Sequence, residues 1–144
     1  MQNFKLIQFI AFFAIVVVFS SCKEEEPAPP TIESQLIGVW TGDEFYEDGL
    51  LSEWNDVFKL STIEFLENGT GNSIMLFGEQ TTTWSYDATT KKLTIIYDEY
   101  IPEDGSIFSI SADTTVADIT KIDDSNLWIT SQDEGVTIEE RYVK

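Results

Sequence analysis

From Leu36 to Lys144 the chain is cut by turn residues at intervals of roughly 8–15 positions, and no stretch between the cuts repeats its apolar residues at a helical period. Short segments of this kind cannot bury one face as helices. They are rich in Thr, Ile, Val, Phe, Tyr and Trp, the residues that suit a pleated, half-buried surface. Eight strands are expected, over residues 38–46, 57–66, 71–77, 81–86, 92–98, 106–122, 127–131 and 136–143, the sixth broken near Asp113. Asn68-Gly69 is a strong hairpin signal because both residues tolerate positive φ. Asp133-Glu134-Gly135 marks the last turn. Ahead of the strands, Thr31 can cap a short helical turn over 32–35, weakly, since Ser34 stands where a capping box wants Glu or Gln.

Several segments alternate cleanly. Trp84 and Tyr86 oppose Ser85, and Leu93, Ile95 and Tyr97 share a face. In the last segment Val136, Ile138 and Tyr142 share a face with Glu140. Such alternation means one dry face and one wet face, as in antiparallel sheets. Successive hairpins make a meander, and eight strands in a meander close most simply into an up-and-down barrel. The expected fold is therefore all-β, an antiparallel barrel of about eight strands spanning residues 34–144.

The N-terminal segment has another character. Lys5 precedes an apolar run from Leu6 to Phe19, broken only by Gln8, and Ser20-Ser21 lead to Cys22. The run is about 14 residues, short of the roughly 20 needed to span a bilayer, so it reads as a secretory signal peptide over 1–21. A cysteine after small residues resembles the bacterial lipobox, which implies lipidation of Cys22 and a membrane anchor. Residues 22–33 read as an extended acidic, proline-rich tether. Lys23, Glu24, Glu25 and Glu26 resemble the export signal that sends Bacteroidetes lipoproteins to the cell surface, and they read equally well as plain solvated tether. The expected location is the outer membrane, on its periplasmic face or at the cell surface. Cys22 is the only cysteine, so no internal disulfide is available.

Without residues 1–21 the chain has seven basic residues against 26 acidic ones, a formal charge of −19. A surface of that sign repels nucleic acid and anionic head groups. Histidine is absent, which removes the usual general base and metal ligand. The acidic clusters around Asp43, Asp98 and Asp123 lack the alternate spacing of an EF-hand loop. No nucleophile elbow, phosphate loop or metal-ligand cluster is present, so neither a cofactor nor a metal is expected and the chain reads as a non-enzyme.

Gly38-Val39-Trp40 resembles the Gly-X-Trp signature of lipocalins. With Leu36-Ile37 before it, then Ile63 to Gly71, Thr83 to Asp87, Leu93-Thr94-Ile95 and Leu127-Trp128-Ile129, residues 34–144 resemble the lipocalin-like domains of Bacteroidetes lipoproteins. The resemblance implies that Trp40 plugs one barrel end and that an arginine from the last strand packs over it. Arg141, the only arginine, is the candidate. It implies a non-catalytic binding module for a small apolar molecule or a glycan fragment. Phe77, Trp84, Tyr86, Tyr97 and Phe108 are candidates to line such a pocket, and equally candidates to fill a solid barrel. A solid barrel would instead suit an accessory subunit that meets a cell-surface protein partner through an exposed face.

Overall fold

A computed structural model describes residues 28–76, 78–101 and 109–144. Residues 1–27, Phe77 and 102–108 lie outside the described residues, and with them Cys22, Lys23, Glu24, Glu25, Glu26 and Phe108. The elements are α1 (Ile32–Leu36), β1 (Gly38–Glu47), β2 (Leu50–Leu51), α2 (Asn55–Phe58), β3 (Thr62–Phe65), β4 (Thr70–Met75), β5 (Gly78–Asp87), β6 (Lys92–Tyr97), β7 (Asp113–Ile122), β8 (Asn126–Asp133) and β9 (Val136–Val143). Every pairing is antiparallel, each of β4 to β9 pairs with the strand before it, and β1 pairs with both β3 and β9. The sheet thus closes into a barrel of eight strands, with β2 as an extra strand on β1. Closure leaves no long open edge to recruit another chain.

Local chemistry explains the turns. Asp48-Gly49 and Glu134-Gly135 hold positive φ at both positions, the backbone that matches strand twist in two-residue hairpins. At Asn68-Gly69 only Gly69 is positive, and the Asn68 carboxamide oxygen accepts from the Thr70 backbone N–H (3.0 Å) instead. Acidic residues serve the turns as well. Asp123 accepts from the Ser125 and Asn126 backbone N–H groups and from the Asn126 side chain, and these bonds hold its carboxyl below the usual range.

The second expected strand is corrected by the structure. Val57 and Phe58 belong to α2, a turn follows, and β3 begins only at Thr62. Ser52 Oγ accepts from the Trp54 N–H (3.1 Å), and the buried Asn55 carboxamide oxygen accepts from the Phe45 N–H (2.8 Å) on β1. Those two contacts start a helical turn and dock it where β1 has no β3 partner, since β1 pairs with β3 only over Gly38 to Thr41. Beyond Gly42 a bulge shifts the β1–β9 register, so Trp40 and Gly42 point inward before it and Phe45 after it. Gly42 is required there by space: a Cβ would stand 2.1 Å from the Phe58 carbonyl oxygen.

The core collects at one end of the barrel. Trp40, Phe65, Leu93, Leu127 and Leu36 are fully buried, and Trp40 Nε1 donates to the Leu36 carbonyl (2.7 Å), so α1 and the tryptophan shut that end together. The expected cap of Arg141 over Trp40 is corrected. Lys144 Nζ lies 4.4 Å from the Trp40 ring centroid, and it also donates to the Gln35 carbonyl (3.1 Å). Arg141 is on the outer face because its neighbour Tyr142 points inward, and strand side chains alternate. Its guanidinium stacks on Trp128 (4.3 Å) and Tyr46 (4.5 Å), and pairs with Glu44 and Glu139, each at 2.6 Å.

Candidate functional site

The other end of the barrel is hollow. A cavity of about 720 Å³ occupies it, within the range of small-molecule sites. Its walls come from almost every part of the barrel. β1 contributes Phe45, α2 contributes Val57 and Phe58, and β3 and β4 contribute Ile63, Ser73 and Met75. Gln80, Tyr97, Thr115 and Glu140 project from β5, β6, β7 and β9. Trp54, Leu76, Tyr142 and the stretch from Ile110 to Asp113 also line it. Strand alternation supplies Ser73, Met75, Gln80, Tyr97 and Glu140, each at an inward position of its strand.

Three aromatic rings form one corner. Phe58 packs edge-on to Tyr142 (centroids 5.0 Å apart) and tilted against Phe45 (5.4 Å). Offset and edge-on contacts of this kind hold rings in place beyond their burial alone. Polar groups are few and fixed. Gln80 is buried and its carboxamide donates to the Asp98 carbonyl (2.8 Å), which leaves its oxygen free of that bond. Tyr142 OH donates to Glu140 Oε1 at 3.0 Å.

Glu140 is the unusual member. It stands on an apolar inward face between Ile138 and Tyr142. It is half-buried and faces the lumen, and burial raises its carboxyl above the usual range despite the Tyr142 hydrogen bond. Burial likewise raises the Tyr97 hydroxyl, with the Glu140 charge adding to it, and raises the Tyr142 hydroxyl well above its ordinary value. No lysine or arginine is among the described residues lining the cavity.

The sequence candidates divide. Tyr97 lines the cavity. Trp84 and Tyr86 lie with the core toward the plugged end: Trp84 packs edge-on to Phe65 (5.4 Å), and its indole N–H is shared between the Leu66 and Thr70 carbonyls, both at 3.1 Å. Trp40 is the plug, and Arg141 belongs to the outer face. Glu140, Gln80, Phe45 and Phe58 were not singled out from the sequence as lining residues. Glu140 was legible in principle, as an acid on the apolar face of its strand. Phe58 was not, because α2 was read as strand.

Comparison with known proteins agrees with this architecture. The family model described as a lipocalin-like domain matches residues 36–117. Two solved structures are similar. A DUF4847 family protein from Bacteroides vulgatus is 15% identical, with a TM-score of 0.52 over 77% of this chain and 94% of that one. A lipocalin-like protein from Bacteroides uniformis is 18% identical, with a TM-score of 0.49 over 76% of this chain and 98% of that one. No curated protein matches.

Proposed function

The chain belongs to the lipocalin-like domain family, and from that premise we propose that it is a non-catalytic carrier or receptor for a small, mainly apolar molecule held in the barrel cavity. The single observation behind this reading is the 720 Å³ cavity, walled by Phe45, Phe58, Ile63 and Met75. Burying an apolar ligand there gains roughly 25 cal/mol per Å² of surface removed from water. A glycan fragment receives less support, because a sugar needs many paired hydroxyls and the polar groups of this lining are few. The solid-barrel reading, with an exposed face serving a partner protein, receives less again, since the hollow end has the volume of a ligand site. Apolar side chains at the cavity, Trp54 (62% exposed) and Leu76 (54%), give such a ligand a surface to meet first.

Location is part of the proposal. The apolar run and Cys22 support export and a lipid anchor, with Lys23 to Glu26 directing the protein to the cell surface. A carrier at that address would take ligand from outside the cell or from the envelope.

The test uses N-phenyl-1-naphthylamine, a neutral apolar fluorophore. Saturable one-to-one binding with a blue-shifted emission is expected. Ser73→Phe, which fills the cavity from β4, should abolish it. Failure of the dye, and of octan-1-ol as competitor, to bind would end the reading.

A further inference from the structure

We propose that the ligand carries a protonated amine on an apolar body, and that Glu140 receives it inside the barrel. The inference rests on the cavity-binding reading above and adds the ligand's charge. It starts from an imbalance. Glu140 projects from β9 into the lumen, held by one hydrogen bond from Tyr142 to Oε1. Its second oxygen has no protein donor among the described residues. The other titratable groups on the lining are Tyr97 from β6, Asp113 from β7 and Tyr142 from the same strand as Glu140. All of these become negative or stay neutral, and none becomes positive.

A carboxylate on an apolar wall without a cation is disfavoured, and burial raises the Glu140 carboxyl above its ordinary value. An ammonium group changes the balance. It supplies the counter-charge that the lining lacks, makes a charge-assisted hydrogen bond to the second oxygen, and leaves the Tyr142 bond intact. Any proton that Glu140 carries before binding leaves to solvent. An alcohol gains only a neutral hydrogen bond at the same place, and a carboxylate ligand brings a second negative charge into a site that already disfavours one. The rest of the lining fits the apolar body: Phe45 and Phe58 lie on one side, Ile63 and Met75 on another.

The experiment compares octylamine, octan-1-ol and octanoate as competitors of N-phenyl-1-naphthylamine, in the wild type and in Glu140→Gln, at neutral pH and moderate salt. Glutamine keeps the shape and can still accept from Tyr142, so the variant retains the cavity. In the wild type octylamine should bind about tenfold or more tighter than octan-1-ol, with octanoate weakest. In Glu140→Gln that preference should vanish, with octylamine and octan-1-ol binding about equally. The variant is decisive because a chain of charge −18 attracts any amine weakly at its surface. Equal binding of amine and alcohol to the wild type would overturn the inference and leave the cavity reading standing. An amine preference that survives in Glu140→Gln, or tighter octanoate, would also overturn it. If none of the three displaces the dye because the dye itself does not bind, the cavity reading fails first.

Discussion

Gly42→Ala is the sharpest test of how the hollow end is built. Gly42 does not have positive φ, so alanine fits the backbone. In open space the change would stabilise the protein by about 0.4–1 kcal/mol, through a less flexible unfolded chain. The structure reverses that sign. The new Cβ would stand 2.1 Å from the Phe58 carbonyl oxygen and 2.9 Å from Ser61 Oγ. The oxygen is backbone, so relief means moving the C-terminal end of α2 by about 1 Å or spreading β1, an overpacking strain of about 1–3 kcal/mol. Net destabilisation of about 1–2 kcal/mol is expected from urea melts followed by tryptophan fluorescence. The shift should also reach the cavity, because Phe58 carries both the carbonyl and the ring packed on Tyr142 and Phe45. Weaker N-phenyl-1-naphthylamine binding should therefore accompany the loss of stability. A variant as stable as the wild type or more so, with unchanged dye affinity, would refute the docking of α2 against the β1 bulge.

Three further predictions follow from other parts of the molecule. Glu140 has a folded-state pKa above its unfolded value, so the folded protein holds the extra proton and the stability tied to Glu140 is fully present below the unfolded value near 4.3. That stability is lost as pH rises from there through the folded value; chemical melts across pH should therefore find Glu140→Gln gaining on the wild type as pH rises, and a constant difference would contradict the assigned burial. Trp40→Ala should cost about 3–5 kcal/mol and couple to Lys144→Ala, while Arg141→Ala should cost about 1 kcal/mol or less and couple to Trp128→Ala; double-mutant cycles that join Arg141 to Trp40 instead would contradict the outward position of the arginine. Cys22→Ala should release the protein from membranes or leave an uncleaved precursor, and labelled palmitate still entering that variant would sink the lipid-anchor proposal.

The barrel was legible because its information is local. Alternation at Trp84-Ser85-Tyr86 and at Leu93 to Tyr97 assigns faces without knowledge of neighbours, and turns such as Glu134-Gly135 need only their own backbone preferences. The last strand was read with its observed bounds for that reason. What escaped depends on partners far along the chain. Residues 57–60 carry a strand-like composition, but Ser52, Asn55 and the space at Gly42 make the segment around them helical. Arg141 was assigned to the plug through the family resemblance, as the only arginine, yet face alternation beside Tyr142 already argued against it, and Lys144 was overlooked. Of the cavity, the sequence offered Tyr97 and the acid at Glu140, while the corner made by Phe45 and Phe58 came only from the bulge that turns β1 over.

The plug has a mechanical consequence. The chain enters β1 beside Trp40, directly after α1, so a pull from upstream residues is delivered to the shut end and runs along β1. β3 holds β1 over Gly38 to Thr41 and β9 holds it from Thr41 to Glu47, and ladder bonds between antiparallel strands run across the strands. A load along the strand shears many of those bonds together instead of peeling them one at a time. The far half of β1 carries Phe45 and the bond that docks α2, so its ladder to β9 shields the cavity corner from such a load. In a tethered molecule the mouth would trail away from the point of attachment.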